Sequence, residues 1–162
     1  MSDDLKVGVS TENTVGITNF GTAKSETITG TSRDDVLDGG AGNDQLKAGA
    51  GSDTLIDTMA QNVGAKGVYD DGNGNGIDTL RLNFTASEWA STAVKADVAR
   101  FVAFLAPASP LVGAKCDDGS EKSETSVPSE KKSLFKAFSL EEYNIEKLVV
   151  YVDNVLTVAA QG

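Results

Sequence analysis

The sequence has no histidine and a single cysteine, Cys116. Without histidine, Ser-His-Asp and Cys-His catalysis, HExxH metalloprotease chemistry and histidine-ligated zinc are all excluded. One cysteine cannot close an intramolecular disulfide. Cys116 lies in the polar stretch GAKCDDGSEKSE with no imidazole to activate it, which makes it an incidental thiol. No G-x-S-x-G, P-loop or G-x-G-x-x-G segment occurs, despite 17 glycines. A carboxylate-pair glycosidase is not excluded by inspection, but the acids are concentrated where another role accounts for them, and the chain reads as a non-enzyme. Long apolar runs are missing too: none approaches the roughly 18 residues of a membrane span. The N-terminus, MSDDLKVGVS, lacks the apolar core of a signal peptide. Taken alone this reads as cytoplasmic, and it reads the same way for a domain from the middle of a longer exported protein.

Positive charge is scarce. Lys and Arg number 14 against 24 Asp and Glu, a formal net charge of −10. That sign repels nucleic-acid phosphates and anionic lipid, so neither is an expected partner, and hard cations are the natural counter-charge. The apolar fraction of 40% falls below the globular norm of about 45–50%. With so much glycine, the expectation is one domain over residues 1–162 with a modest core and many tight turns.

Periodicity is the strongest signal. From Gly21 the chain divides into nines, GTAKSETIT, GTSRDDVLD, GGAGNDQLK and AGAGSDTLI, and a fifth copy, NGNGIDTLR, begins at Asn73. The sixth position is acidic in every copy (Glu26, Asp35, Asp44, Asp53, Asp78) and the eighth is aliphatic (Ile28, Leu37, Leu46, Leu55, Leu80). Six Gly-rich residues make a turn, and three make a short strand whose aliphatic residue points inward. Stacked turns set carbonyls and carboxylates against one another, an unfavourable arrangement until a cation enters. Ca²⁺, which accepts six to eight oxygens in a flexible shell, suits them. A flexible acidic linker would not keep both the acidic and the aliphatic position through five copies.

These residues resemble the RTX nonapeptide, G-G-x-G-x-D-x-U-x with U aliphatic, best in GGAGNDQLK and AGAGSDTLI. The resemblance implies a mainly β fold, a short parallel β-roll with Ca²⁺ in its turns, in which turns 18 residues apart stack and share an ion. It further implies one site from the carbonyls of Thr31 and Arg33 with Asp35, together with Ala48, Ala50 and Asp53. A neighbouring site would use Gly40, Gly42 and Asp44 with the turn beginning near Asp57. The first copy carries Lys24 and Glu26 where Gly and Asp belong, which weakens a site between it and Gly39, Ala41 and Asp44. The loop 71–78 reads two ways. Asp71, Asn73, Asn75 and Gly76 are spaced like the start of an EF-hand loop, but Leu82 stands where that loop requires Glu. In the nonapeptide register Asp78 is the fifth sixth-position acid. Asp71, Asn73 and Asp78 are calcium ligand candidates in either case.

After the repeats (21–81) the period changes. Thr85 and Glu88 form a capping box, T-x-x-E, flanked by Phe84 and Trp89 as a hydrophobic staple; the glycosylation-like triplet Asn83-Phe84-Thr85 reads as the start of this helix. One helix is expected over 85–106, with Val94, Val98, Phe101, Val102 and Leu105 on one face and Pro107 ending it. It would cap the open end of the roll. Residues 108–132 read as a flexible or binding loop. Residues 133–158 read as strands (LFKAF, IEKLVVYV, VLTV), the last two joined at Asp153-Asn154 by a type I′ turn. The N-terminal segments LKVGV and VGITNF could supply further strands. The run DTLRLNFTASEW, the helix FVAFLA and the strand IEKLVVYVD together resemble the module that follows short RTX repeats in giant bacterial RTX adhesins, some of which bind C-terminal peptides. That resemblance implies an extracellular, calcium-dependent adhesin module, monomeric within a much longer chain, whose partner is a peptide or protein on a target cell. Its ligand would sit at Asp70, Asp71, Asn73 and Asn75, on a calcium with an open position. A calcium-stiffened spacer or cap of a secreted protein, and a fragment of a secreted enzyme, are the competing classes.

Overall fold

Each short strand buries its single aliphatic residue between two parallel sheets, and this alternation produces the architecture. The computed structural model of the protein describes residues 15–72, 76–106 and 132–161. Strands β1 (Thr18–Phe20), β3 (Val36–Asp38), β5 (Thr54–Thr58) and β7 (Thr79–Phe84) form one parallel sheet; β2 (Thr27–Thr29), β4 (Gln45–Lys47) and β6 (Gly67–Asp70) form the other. The chain passes from sheet to sheet at every turn, which is the expected β-roll. The inward positions of the first sheet hold Leu37, Leu55 and Leu80, all fully buried, in mutual register. In the second, Ile28, Leu46 and Tyr69 stack the same way.

The roll does not end with the repeats. Two helices, α1 (Ala86–Trp89) and α2 (Thr92–Leu105), follow β7, and strand β8 (Lys132–Phe135) then leads into β9 (Leu140–Tyr143). Strand β9 pairs in parallel with β6, and β10 (Lys147–Val152) pairs in parallel with β7, so the coil resumes after an insertion. Leu148 takes the inward place beside Leu80, and Glu142 the inward place beside Tyr69. Both sheets then finish on an antiparallel strand, β11 (Val155–Gln161) on β10 and β8 on β9. The β10–β11 turn has Asp153 and Asn154 at φ 48° and 64°, the left-handed pair that a type I′ turn needs.

The helical segment divides because it has two caps. Thr85 and Glu88 make the capping box of α1, and Ser91 accepts the Val94 N–H to start α2. Helix α2 buries Val94, Val98, Phe101 and Leu105 and packs against both edge strands, β8 and β11. The rings of Phe101, Phe135, Phe138 and Phe84 form a chain with centroids 4.9–5.6 Å apart, continuing the core out of the roll. The buried Asp97 carboxylate accepts the Ala137 N–H at 2.6 Å and pairs with Arg100, fixing the helix to the segment before β9. The segment LKVGV, Cys116, Pro107, and the 108–132 loop up to residue 131 lie outside the described residues.

Candidate calcium-binding turns

The turns stack in two columns. Among the described residues, one contains 30–35, 48–53, 71–72 with 76–78, and 144–146, and the other contains 21–26, 39–44 and 59–66. In the first column the sixth-position acids form a ladder, each accepting the backbone N–H of the residue one coil below. Asp35 takes the N–H of Ile17 at 2.6 Å, Asp53 that of Asp35 at 2.7 Å and Asp78 that of Asp53 at 2.6 Å. Glu146 completes it by taking the N–H of Asp78 at 3.0 Å. The coil-to-coil spacing is 18 residues at the start and 25 between Asp53 and Asp78, yet the register is kept. In the second column Asp44 takes the N–H of Glu26 at 2.9 Å.

Stacking this close requires glycine at two places. Gly49 and Gly51 have φ of 111° and 123°, and a Cβ on them would lie 2.1 and 2.7 Å from the carbonyl oxygens of Thr31 and Arg33. The structure thus brings together Thr31, Arg33 and Asp35 with Ala48, Ala50 and Asp53. The Ala50 N–H donates to the Thr31 carbonyl at 3.2 Å. Gly40 and Gly42 stand in the same relation to Thr22 and Lys24 in the second column.

The acids differ in what satisfies them. Where threonine holds the second position, it serves the acid of its own turn. The Thr22 N–H and hydroxyl donate to Glu26, and those of Thr31 donate to Asp35. Where glycine holds it, there is no hydroxyl and the N–H donates elsewhere, that of Gly40 to Asp38 Oδ1 and that of Gly49 to the Asp71 carbonyl, both at 2.9 Å. Oδ2 of Asp44 and Oδ2 of Asp53 are buried without a hydrogen-bond partner among the described residues, as is Oδ1 of Asp71. A buried carboxylate oxygen left unpaired is costly, and an oxygen-only donor set with free carboxylate valence fits Ca²⁺.

Asp57 is placed differently from the turn acids. It lies within β5 on the same inward face as Leu55, 4% exposed, and accepts hydrogen bonds from Asn62 Nδ2 at 2.6 Å and Tyr69 Oη at 3.3 Å. The turn above Gly40, Gly42 and Asp44 is instead the 59–66 segment, tied down by the Lys66 N–H on Asn43 Oδ1. Asp70 accepts the Gly72 N–H at 3.0 Å, and Asn73 and Asn75 lie outside the described residues.

Burial pushes the Asp53 and Asp57 carboxyls from the ordinary 3.8 up to about 6, and neighbouring acids add to the shift in each. Folded values above the unfolded ones mean that these groups favour the folded state below about pH 4, and that this contribution is lost as pH rises through 6. In EDTA the melting temperature should therefore fall between pH 4 and pH 7. With Ca²⁺ the trend should reverse, because protons compete with the cation for the carboxylates. Melting curves across that window, with and without Ca²⁺, check it; parallel profiles would count against a carboxylate-bound cation.

Sequence periodicity did not reveal Glu146. Lys147 pairs with Thr79, and Thr79 with Thr54, so Glu146 stands where Asp78 and Asp53 stand. The signal available was the acid-x-aliphatic spacing of Glu146-Lys147-Leu148, without the glycines that mark the other turns.

Residues 20–55 match the RTX calcium-binding nonapeptide repeat in four copies. No curated protein and no solved structure matches the chain. The matched stretch contains both Thr-satisfied turns and both Gly-Gly turns with unpaired acid oxygens. On the match and the stacked turns together, this chain carries an RTX calcium-binding module, a structural repeat unit of a kind that occurs in secreted proteins and binds Ca²⁺.

Proposed function

We propose that the module works outside the cell as a calcium-dependent adhesin unit that captures a peptide by its C-terminus, with calcium held in the stacked turns. In this reading Thr31, Arg33 and Asp35 face Ala48, Ala50 and Asp53 across one ion, and Gly40, Gly42 and Asp44 serve a second. When bound, Ca²⁺ supplies the charge that lets these carboxylates and carbonyls stack. The chain's own part is to hold the turns in register through the acid-to-N–H ladder.

The observation that carries the adhesin reading is the insertion between β7 and β9. A spacer needs only coils and end caps, whereas this insertion adds two capped helices and shapes a recess of about 470 Å³ beside sheet strand β6. Its lining includes the apolar Val68 and Phe135, Ser139, and the exposed Lys66 and Lys136 against the single acid Glu141, a local cationic excess in a chain of net charge −10. Such a mix suits an apolar side chain ending in a carboxylate. Strand β6 runs from this recess to the calcium loop that begins at Asp70 and Asp71, where sequence reasoning placed the ligand together with Asn73 and Asn75. A calcium-stiffened cap is the second reading, favoured by the antiparallel strands that close both sheets.

Screening free C-terminal peptides against the module separates the two readings. A bound peptide should lose at least tenfold in affinity on amidation of its C-terminus, and again on removal of Ca²⁺. Lys66→Glu with Lys136→Glu should weaken it further if the recess holds the carboxylate, and Asp70→Asn should do so if the loop does. Affinity untouched by amidation rules out carboxylate capture, and absence of any peptide ligand favours the cap.

A further inference from the structure

One group of acids outside the matched repeats converges on a point. Asp71, Asp78 and Glu146 each offer a carboxylate oxygen, and these oxygens lie within 4.8 Å of one another. Asp71 and Asp78 are 3% and 2% exposed, and Glu146 is half-buried. Two oxygens bound to one Ca²⁺ at roughly 2.3–2.6 Å can stand at most about 5 Å apart, so this spacing is that of a shared ion. Independently, Asp71 Oδ1 is buried with no hydrogen-bond partner among the described residues. Three acids in one buried place are mutually repulsive without a cation between them.

We propose that Asp71, Asp78 and Glu146 form a separate Ca²⁺ site that fastens the C-terminal strands to the repeat stack. Its donors are all oxygen, which selects a hard cation over Zn²⁺. The span favours Ca²⁺ over Mg²⁺, which demands tighter octahedral geometry. Asp71 and Asp78 bracket the turn between β6 and β7. Glu146 arrives from the turn between β9 and β10, 68 residues beyond Asp78. The two turns also meet through Asn144 Nδ2 on the Gly72 carbonyl at 2.9 Å, and through the Glu146 and Lys147 N–H groups on the Asp78 carbonyl. The ion thus bridges segments that are distant in the chain, and β10 inherits a dependence on calcium although it lies outside any repeat. This site stands whether or not the module binds a peptide.

The test uses the full 162-residue chain and Ca²⁺ itself, titrated calorimetrically. Glu146→Gln keeps an acceptor for the Asp78 N–H and removes one carboxylate; Asp71→Asn removes the carboxyl group that carries the unpaired oxygen. Each variant should bind one Ca²⁺ fewer than wild type, or bind one class at least tenfold more weakly. Hydrogen exchange in Ca²⁺ should speed up at Leu148 and Val150 in β10 while Leu37 and Leu46 keep their protection. Without Ca²⁺ neither variant should melt below wild type, because each takes one acid out of a crowded, cation-free cluster, and this readout survives even if a variant folds poorly with calcium. Wild-type stoichiometry and affinity in both variants would overturn the proposal, as would a lower calcium-free melting temperature in both.

Discussion

Asp53→Ala should lower the number of bound Ca²⁺ and the melting temperature, while Glu26→Ala should leave both close to wild type. The two residues occupy the same position of the repeat and differ in what their carboxylates do. Asp53 is 1% exposed, holds the Asp35 N–H at 2.7 Å with one oxygen, and keeps the other buried and unpaired. Its loss strands a buried N–H, at a cost of about 1–3 kcal/mol, and also removes the ligand that faces the Thr31–Asp35 turn. For a chain of this size each kcal/mol is worth roughly 2–4 °C of melting temperature, so a fall of several degrees is expected in Ca²⁺. Glu26 is only half-buried and its carboxylate is engaged by the exposed Thr22 in its own turn, so its removal should stay within about 0.5 kcal/mol. Calorimetric titration of the two variants side by side makes the comparison. Equal stoichiometry would mean that the ligand register assigned to the turns is wrong.

The roll was legible in the sequence because its rule is local. An acid and an aliphatic residue two places later recur every nine residues, and Ile28, Leu37, Leu46, Leu55 and Leu80 all occupy inward positions. Legibility failed where tertiary pairing overrides local pattern. Strand β9 carries Glu142, not an aliphatic residue, at its inward position, so LEEY does not read as a coil of the roll; its parallel pairing with β6 makes it one. The turn before β10 has no glycine, and Asn144 at φ 59° supplies the left-handed residue in its place, which hid Glu146 from a glycine-based search. Continuation of the sheets across residues 85–139 is a pairing between segments far apart, and no window of sequence contains it. The helix broke in two because Ser91 is a second N-cap inside what periodicity reads as one run. Asp57 looked like a turn acid because it follows a repeat. The longer β5 carries it instead into the interior, against Asn62 and Tyr69.

Thermal unfolding with and without Ca²⁺ tests the central claim most directly. The segment from Gly21 to Arg81 holds ten acids against five basic residues, and its coils stack those acids in columns. Self-repulsion and the buried, unpaired oxygens of Asp44, Asp53 and Asp71 oppose this stack until cations enter. Chelation with EDTA at pH 7 should lower the melting temperature by well over 10 °C or abolish the cooperative transition. Added Ca²⁺ should restore it, and equimolar Mg²⁺ should not. An unchanged melting curve after thorough chelation would contradict the calcium-dependent roll.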